Sequence, residues 1–190
     1  MGIKRKIISG VGKAYLKIKG VKTGEAIILY GFPRVNLANG GKIVIGDNVA
    51  MCSTCKGNPL GVNHRVILSA VKPESEIIIG NDTGMSGTTI CAAKSVKIGN
   101  NCLIGANVTI TDYDFHPVKP VGRRYNTNAD DIGCVPVIVE DNVWLGMNVV
   151  VLKGVTVGQN SVIAAGSIIT KSIPPNCIAG GNPARVLKKI

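Results

Sequence analysis

The 190-residue sequence is poor in aromatic side chains: Phe, Trp and Tyr make up 4% of the chain, although 45% of its residues are hydrophobic and 24 are glycine. Its core therefore has to be built from Val, Ile and small residues rather than from large rings. This composition is typical of narrow, evenly filled β-structure and argues against a helical bundle. The length suits one core, and we expect residues 1–190 to form a single domain.

Long apolar runs are missing as well. The best of them, residues 26–32, is far shorter than the roughly 20 residues that a bilayer-spanning helix needs. No secretory pattern follows the basic start, because Ser, Gly and Lys interrupt residues 7–16. We therefore expect a cytoplasmic protein whose six cysteines are free thiols.

Metal-ligand patterns are scarce. Cys52 and Cys55 form a C-x-x-C pair, but no second Cys pair or His pair follows at ligand spacing. The pair also lacks the strand–helix–strand context of a redox dithiol. The sequence therefore predicts neither a zinc site nor a redox site, and we expect no metal cofactor.

Acidic residues are few: 11 Asp and Glu stand against 22 Lys and Arg, which gives a formal net charge of +11. This charge favours an anionic partner, but no nucleic-acid motif accompanies it, so nucleic acid is not expected. Part of the charge lies in a basic segment at residues 1–24, which includes Lys4, Arg5 and Lys6. Two interpretations stay open for that segment: a solvated cap on the fold, or a peripheral contact with a membrane surface.

What the sequence has in abundance is a six-residue repeat. Its leads from residue 139 onward are branched and apolar: Val139, Leu145, Val151, Val157, Ile163 and Ile169. A small or apolar residue follows each lead by four positions, and turn formers fill the gaps. A period of six suits neither a helix of 3.6 residues per turn nor a two-residue alternation, but it fits a short strand and a tight corner. Three such sides close one coil of a triangular all-β solenoid, with leads inside and Gly, Asn and Asp at the corners.

The repeat extends upstream with a less regular register. Clear units are led by Ile98, Ile104 and Ile110, and we place Ile67, Ile79, Met85 and Cys91 as leads of a weaker series. Residues 45–49 match an earlier unit. Residues 51–65 do not fit the pattern and are expected to protrude from the solenoid.

Two other segments interrupt or end the repeat. It stops at residue 111 and resumes after residue 133, and a long insertion in a rigid scaffold often carries function. Pro174 and Pro175 end it, since proline cannot donate to a sheet ladder. The expected plan is one domain with the basic segment, an inserted loop at 111–133 and a tail at 174–190.

The inserted loop carries His116, with Asp112 and Asp114 close by in sequence. Imidazole is the usual side chain for accepting a proton near neutral pH, and a carboxylate or carbonyl can fix its tautomer. The alternative is that His116 only packs or caps the loop. The second histidine, His64, has no comparable setting and is interpreted as a surface residue.

Trp144, the single tryptophan, occupies the last position of a repeat unit, which should face outward. An exposed indole on a regular wall is costly unless a ligand or another chain covers it; the alternative is a core residue that distorts one corner. Lys171 and Arg185 lie near the end of the repeat, where they either meet phosphates or remain solvated.

Several of these segments resemble the hexapeptide-repeat acyltransferases, and among them the galactoside, maltose and capsular-polysaccharide O-acetyltransferases. The resemblance is carried by Val143-Trp144-Leu145-Gly146, Gly154-Val155-Thr156-Val157-Gly158, Ser161-Val162-Ile163-Ala164-Ala165-Gly166-Ser167 and Gly181-Asn182-Pro183-Ala184. It covers the chain from residue 98 onward and reaches the earlier half only through the weaker repeats. It implies a left-handed parallel β-helix and a homotrimer, with each active site in the groove between two adjacent prisms.

The resemblance also implies the chemistry. Acetyl would pass directly from acetyl-CoA to a hydroxyl of a sugar, sugar nucleotide or surface polysaccharide precursor, with His116 as general base beside Asp114 and Asp112. The positions that it places along acetyl-CoA are Trp144, Gly146, Met147, Ala165, Thr170, Lys171 and Arg185. A backbone N–H near Gly146 or Met147 would support the thioester oxygen as it gains charge. On the acceptor side we expect Met85, Ser86, Asn107 and Arg123.

Three departures from the family pattern concern the acceptor. Met147 stands where the sugar acetyltransferases often have Ser, and Met85 falls roughly where some relatives place an acceptor-binding Asn. The helical N-terminal module of the maltose-type enzymes is missing or reduced to the basic segment. These departures leave the identity of the acceptor undetermined, but they do not affect the expected acetyl transfer.

Three other functions remain in competition. A xenobiotic acetyltransferase of the streptogramin or chloramphenicol type would share the Gly-Asn-Pro ending. A non-enzymatic structural solenoid would leave the inserted loop and the outward Trp144 unexplained. A carbonic anhydrase on the same prism would need three histidines around each zinc, and the chain has two.

Overall fold

Three sheets of short strands form the walls of a triangular prism in the computed structural model, which describes the backbone of residues 3–190 and the side chains from residue 10 onward. Successive strands go to the first, second and third sheet in turn, except that the last two strands both join the second sheet. Pairing is parallel up to a final antiparallel hairpin. The predicted left-handed parallel β-helix is confirmed.

The described residues form one helix and a long series of short strands. They are α1 (Ile3–Ile18), β1 (Lys22–Thr23), β2 (Ile28–Tyr30), β3 (Arg34–Leu37), β4 (Lys42–Ile45), β5 (Ala50–Cys52), β6 (Ile67–Ala70), β7 (Glu76–Ile79), β8 (Gly84–Ser86), β9 (Thr89–Ala92), β10 (Ser95–Ile98), β11 (Leu103–Ala106), β12 (Thr109–Thr111), β13 (Val137–Val139), β14 (Trp144–Leu145), β15 (Val150–Val151), β16 (Thr156–Val157), β17 (Val162–Ile163), β18 (Ile168–Ile169), β19 (Cys177–Gly181) and β20 (Ala184–Lys189). Short 3₁₀ turns occupy Cys55–Gly57 and Ala129–Asp131. The sheet orders are β1-β4-β7-β10-β13-β16, β2-β5-β8-β11-β14-β17-β19-β20 and β3-β6-β9-β12-β15-β18.

The lead positions of the repeat line the inside of the prism, as predicted. All six leads from Val139 to Ile169 are buried, and so are the residues four positions after them. Two of those inner positions are serines, and both are satisfied: Ser161 donates to the Pro174 carbonyl and Ser167 to the Ala164 carbonyl. Burying a hydroxyl without such a partner would destabilise the core.

The weaker upstream register is wrong at two positions. Leu68 and Ile90 fill the core, whereas the predicted leads Ile67 and Cys91 lie one residue along and belong to the outward side of their strands. A slip of one residue moves a side chain to the opposite face of a strand. The slips occur where corners depart from the six-residue period: a long loop separates β5 from β6, and the core residues Met85 of β8 and Ile90 of β9 are five positions apart instead of six.

Asparagine dominates the corners between the first and second sheets. Asn48, Asn142, Asn160 and Asn176 all have φ near +60°, in the left-handed region that Asn tolerates. Their side chains stack from coil to coil: the Asn142 amide donates to Asn160 at 2.9 Å, and Asn160 donates to Asn176 at 2.7 Å. The predicted role of these residues as corner formers is confirmed.

The two ends of the prism are covered differently. At one end, α1 packs across the first coil with Leu16 buried, and Gly12 lies so close to Leu29 that a Cβ would stand 2.8 Å from its Cδ1 atom. The Tyr15 hydroxyl donates to the Pro33 carbonyl at 2.8 Å. At the other end, the β19–β20 hairpin extends the second sheet.

Within the basic segment predicted at residues 1–24, residues 3–18 form the helix α1 against the first coil, and Lys22–Thr23 already belong to β1. The side chains of the segment's first nine residues, including Lys4, Arg5 and Lys6, lie outside the described residues. Lys13 pairs with Glu25 across the junction at 2.8 Å. Within residues 3–190, no helix is long and apolar enough to cross a membrane.

Candidate active site

The loop that carries His116 connects β12 to β13, at the corner between the third and first sheets. Its root is Asp112, a fully buried carboxylate. The Asp112 oxygens accept hydrogen bonds from the backbone N–H groups of Ala93 at 2.7 Å, Lys94 at 2.8 Å and Ser95 at 2.7 Å. These contacts tie the loop to the preceding coil, so the structure gives Asp112 a scaffold role and does not bring its carboxylate to His116.

A second set of contacts holds the loop against the corner. Asp114 pairs with Lys153 of a later coil at 2.8 Å, while its Oδ2 atom is buried without a hydrogen-bond partner among the described residues. The Tyr113 ring packs edge-on against Phe115 and lies under the Lys72 ammonium, 4.3 Å from the ring centroid. Of the two predicted carboxylates, Asp114 is therefore the one that keeps an uncommitted oxygen close to His116 in the chain.

The backbone on both sides of His116 is constrained. Phe115 has φ of +64°, a conformation that is an outlier for a bulky residue, and such strain clusters at functional sites. Pro117 is buried, and a proline restricts the residue before it to extended conformations. His116 itself is exposed. The imidazole is thus presented to solvent from a fixed backbone.

Trp144 lies on the outer surface of the second sheet, whereas that loop leaves the corner between the third and first sheets. Its side chain is 52% exposed, which confirms the predicted outward orientation. It lines a cavity of about 380 Å³ together with Gly146, Met147 and Ala165. The remaining lining residues are Asn58, Leu60, Gly105, Ala106, Val162, Ile163 and Ala164. Four residues predicted on the acetyl-CoA side therefore meet in one cavity.

The cavity offers a free backbone donor beside the indole. The Gly146 N–H donates to the Ile163 carbonyl at 2.8 Å and is therefore committed to the sheet ladder. The Met147 carbonyl accepts from Gly166, but the Met147 N–H has no partner in the described part of the chain. Of the two donors predicted for the thioester oxygen, Met147 is the one that the fold leaves available.

A neighbouring cavity of about 300 Å³ lies on the same sheet and shares Trp144 and Gly105 with the first. It contains the predicted acceptor positions Met85 and Ser86. The Met85 side chain points into the core and is 3% exposed, so the thioether is a packing group and Ser86 supplies the polar surface there. The expectation that the Met85 side chain contacts an acceptor therefore has no support in its orientation.

The other predicted site residues lie outside these two cavities. Thr170 and Lys171 are exposed just after β18, and Arg185 is exposed on β20. Asn107 forms a corner with φ of +60° and accepts from the Asn63 N–H at 2.8 Å. Arg123 is exposed and donates to the Val118 and Lys119 carbonyls within its own loop.

Sequence reasoning missed a second loop. Residues 51–65 were expected to protrude, but Met51 and Cys52 belong to β5 and are buried, because the prism extends two residues further than the pattern suggests. The loop that follows, between β5 and β6, contributes Gly57 to one cavity and Asn58 and Leu60 to the other. The signal was its failure to fit the repeat. Nothing in the sequence around the C-x-x-C pair indicated that this loop borders the wall that carries Trp144.

Three of the cysteines are unsuited to nucleophilic catalysis. All six are free, and burial together with the nearby Asp112 charge raises the pKa of Cys91 to about 11. Burial likewise raises the pKa of Cys102 and of Cys134, so these thiols stay protonated near neutral pH. The described residues contain no group of His, Cys, Asp and Glu side chains able to hold a metal ion.

Comparison with known proteins supports the repeat and the fold together. The family profile described as the hexapeptide repeat of succinyl-transferase matches residues 77–112 and 136–171. Galactoside O-acetyltransferase of Escherichia coli K12 is 45% identical over 102 residues, which are 54% of this chain and 48% of that protein. Galactoside O-acetyltransferase of Lactococcus lactis is 44% identical over 106 residues, 54% of this chain and 47% of that protein. The chain spans about half the length of the curated relatives that it matches.

A solved structure extends the similarity over the whole chain. A galactoside acetyltransferase in complex with coenzyme A is 26% identical, with a TM-score of 0.60, and the match covers 100% of this chain and 84% of that one. The repeat profile, the sequence relatives and the solved fold all agree with the prism: the chain carries hexapeptide repeats at residues 77–112 and 136–171 and is similar to hexapeptide-repeat acetyltransferases.

Proposed function

We propose that the protein transfers an acetyl group from acetyl-CoA to a hydroxyl of a sugar, a sugar nucleotide or a surface polysaccharide precursor. The observation that carries this proposal is the convergence of Trp144, Met147 and Ala165 on one cavity of the second sheet. The relatives that are most informative here are named as galactoside O-acetyltransferases. The six free cysteines suit the reducing cytoplasm, where we place the protein.

The residues of the cavity fit the acyl-bearing end of acetyl-CoA. The exposed indole of Trp144 forms one wall, and the floor consists of small residues, including Gly105, Gly146 and Ala164. A narrow floor beside a flat ring suits a slender pantetheine arm, while the Met147 N–H would stabilise the oxygen of the thioester as it gains charge. Lys171 and Arg185, both exposed, would meet the phosphates.

We assign His116 as the general base that accepts the proton of the acceptor hydroxyl. Its exposed ring on a constrained backbone supports this role, since a base must be held in position while staying accessible. Asp114 is the carboxylate placed to orient the imidazole, because its Oδ2 atom lacks a partner among the described residues. The hydroxyl oxygen attacks the acetyl carbonyl while its proton goes to His116; the C–S bond then breaks, and coenzyme A leaves as a thiolate that takes this proton back from the imidazolium.

A complete site requires two subunits in this proposal. The His116 loop leaves the corner between the third and first sheets, whereas Trp144 stands on the second sheet of the same chain. A homotrimer of parallel prisms would place His116 of the partner subunit over the Trp144 wall. Asn107 and Arg123 would then border the acceptor from the two sides of the groove.

The experiment that tests the function is acetyl-CoA consumption, followed by release of free CoA thiol with a panel of acceptors. The panel contains galactosides, maltose, nucleotide-linked sugars and chloramphenicol. Turnover with a sugar hydroxyl, and an O-acetyl product identified by mass spectrometry, is the expected outcome. Turnover with chloramphenicol alone would favour xenobiotic acetylation. If no acceptor in the panel caused release of the CoA thiol, the proposal would be contradicted.

A further inference from the structure

A third cavity, of about 490 Å³, lies between α1 and the corners that follow β2 and β5. Its walls are apolar and aromatic: Val11, Leu29, Tyr30 and Phe32. Thr54, Lys56, Gly31 and Gly57 complete the lining. The volume falls within the range of small-molecule sites, which are concave and mostly apolar.

The surrounding contacts hold this cavity open. The Phe32 ring packs against Tyr15 with centroids 4.9 Å apart, and the Tyr15 hydroxyl is fixed on the Pro33 carbonyl. The helix is anchored by the close approach of Gly12 to Leu29. Val11 nevertheless stays 54% exposed at the mouth. An apolar surface kept open on a rigid frame is costly in water unless something apolar covers it.

The cavity adjoins the proposed active site. Tyr30 and Gly57 line both this cavity and the one that contains Ser86. The Ser86 cavity in turn shares Trp144 and Gly105 with the cavity assigned to the thioester. The three cavities are therefore neighbours in a series, and the apolar one lies at the end farther from the thioester.

We propose that the apolar cavity binds a hydrocarbon chain of the acceptor, so that the substrate is an amphiphile: a sugar hydroxyl near Ser86 with an aliphatic aglycone between α1 and Phe32. This inference rests on the proposed acetyl transfer and names its substrate class. The sugar lies between the acetyl donor and the hydrocarbon, in the order in which the three spaces follow one another. Water leaving the walls around Val11 and Phe32 provides the affinity for the chain.

The test compares methyl, butyl and octyl β-D-galactopyranoside as acceptors for the full-length protein. The expected result is a KM at least about tenfold lower for the octyl than for the methyl compound, with kcat little changed, because each buried methylene adds affinity. Val11→Glu places a charge at the mouth of the cavity and should abolish the dependence on chain length. Ile18→Glu is the matched control on the same helix, since Ile18 is 83% exposed and lies outside the cavity lining.

Binding measured by calorimetry without acetyl-CoA separates this inference from the proposed reaction. Octyl galactoside should bind the wild-type protein and the Ile18→Glu variant, and should bind the Val11→Glu variant at least about tenfold more weakly. Acetylation of the methyl compound with no preference for the octyl one would overturn the cavity assignment and leave the acetyl transfer intact. Octyl binding that Val11→Glu weakens, without acetylation of any galactoside, would support the cavity and contradict the reaction. Equal effects of the two variants, or no octyl binding because another segment or subunit fills the cavity, would also overturn the assignment.

Discussion

The position of His116 is set by the residues on either side of it. Phe115 adopts a left-handed backbone conformation that few bulky residues adopt, and Pro117 is buried directly after the imidazole. The side chain of His116 is exposed, and it has no hydrogen-bond partner in the region that the structure describes. This exposure supports the proposed role of His116 as a base, and it argues against the alternative that the ring packs or caps the loop.

Replacing His116 by Ala should lower kcat by about two to four orders of magnitude, the usual contribution of a general base. The affinity for CoA should change little, because the proposed role of His116 is to take the proton of the acceptor hydroxyl, not to bind CoA. Steady-state thiol release and CoA titration measure the two quantities. His64→Ala is the control: its Nδ1 atom lies 2.7 Å from the Arg65 carbonyl, and it should leave kcat unchanged. Undiminished turnover in the His116 variant would remove it as the base.

Cys91 makes stability depend on alkaline pH. Burial and the Asp112 charge raise the pKa of this thiol from the usual 9.0 to about 11. The unfolded chain therefore loses the proton first, and folding stability declines as the pH rises from 9.0 to about 11. The loss should amount to about 2 to 3 kcal/mol by urea denaturation. The Cys91→Ala variant should show a smaller decline of stability over this pH range, whereas Cys55→Ala, at an exposed cysteine, should decline like the wild type. Identical slopes of stability against pH in the two variants would contradict this account.

At the scale of the element, the inserted loop depends on one buried carboxylate. Asp112→Asn would replace an acceptor of three backbone N–H groups by a side chain that turns a donor toward one of them. We expect the free energy of unfolding to fall by about 3 kcal/mol, with a loss of kcat as the loop loses its root. Chemical denaturation and steady-state kinetics measure both. Asp130→Asn, on an exposed part of the same loop, is the control. If Asp112→Asn lowered the free energy of unfolding as little as Asp130→Asn, Asp112 would not be the residue that anchors the loop.

Sequence reasoning predicts elements well where the six-residue period is strict. From Val139 onward the leads, the inner serines and the corner asparagines all follow it, because a solenoid gives each position the same environment in every coil. Prediction fails where a corner departs from this period, as before Cys91: the core residues Met85 and Ile90 are five positions apart, so the six-residue period assigns the inward position to Cys91 instead of Ile90. The role of residues 53–66 could not be predicted either, because it depends on which wall of the prism they border.

For the molecule as a whole, the separation of His116 from Trp144 has a direct test. His116→Ala and Trp144→Ala should each be impaired, the first in kcat and the second in the affinity for acetyl-CoA, because the indole lines its proposed site. If each active site takes its base from one subunit and its indole from another, co-expressing the two variants should restore a fraction of the sites. At limiting acetyl-CoA, the turnover of the co-expressed mixture should then exceed the mean turnover of the two variants measured separately. No gain in co-expressed mixtures of verified oligomers would place both residues in one subunit's site.

The packing of α1 across the first coil has a consequence for association. The strands β1, β2 and β3 each pair on one side only, so their other edges depend on the helix for cover. A chain shortened to begin at residue 20 would present those edges, and Leu29 with them, as a template for the next molecule. Light scattering of such a truncation should reveal end-to-end stacking into rods, which the intact helix suppresses.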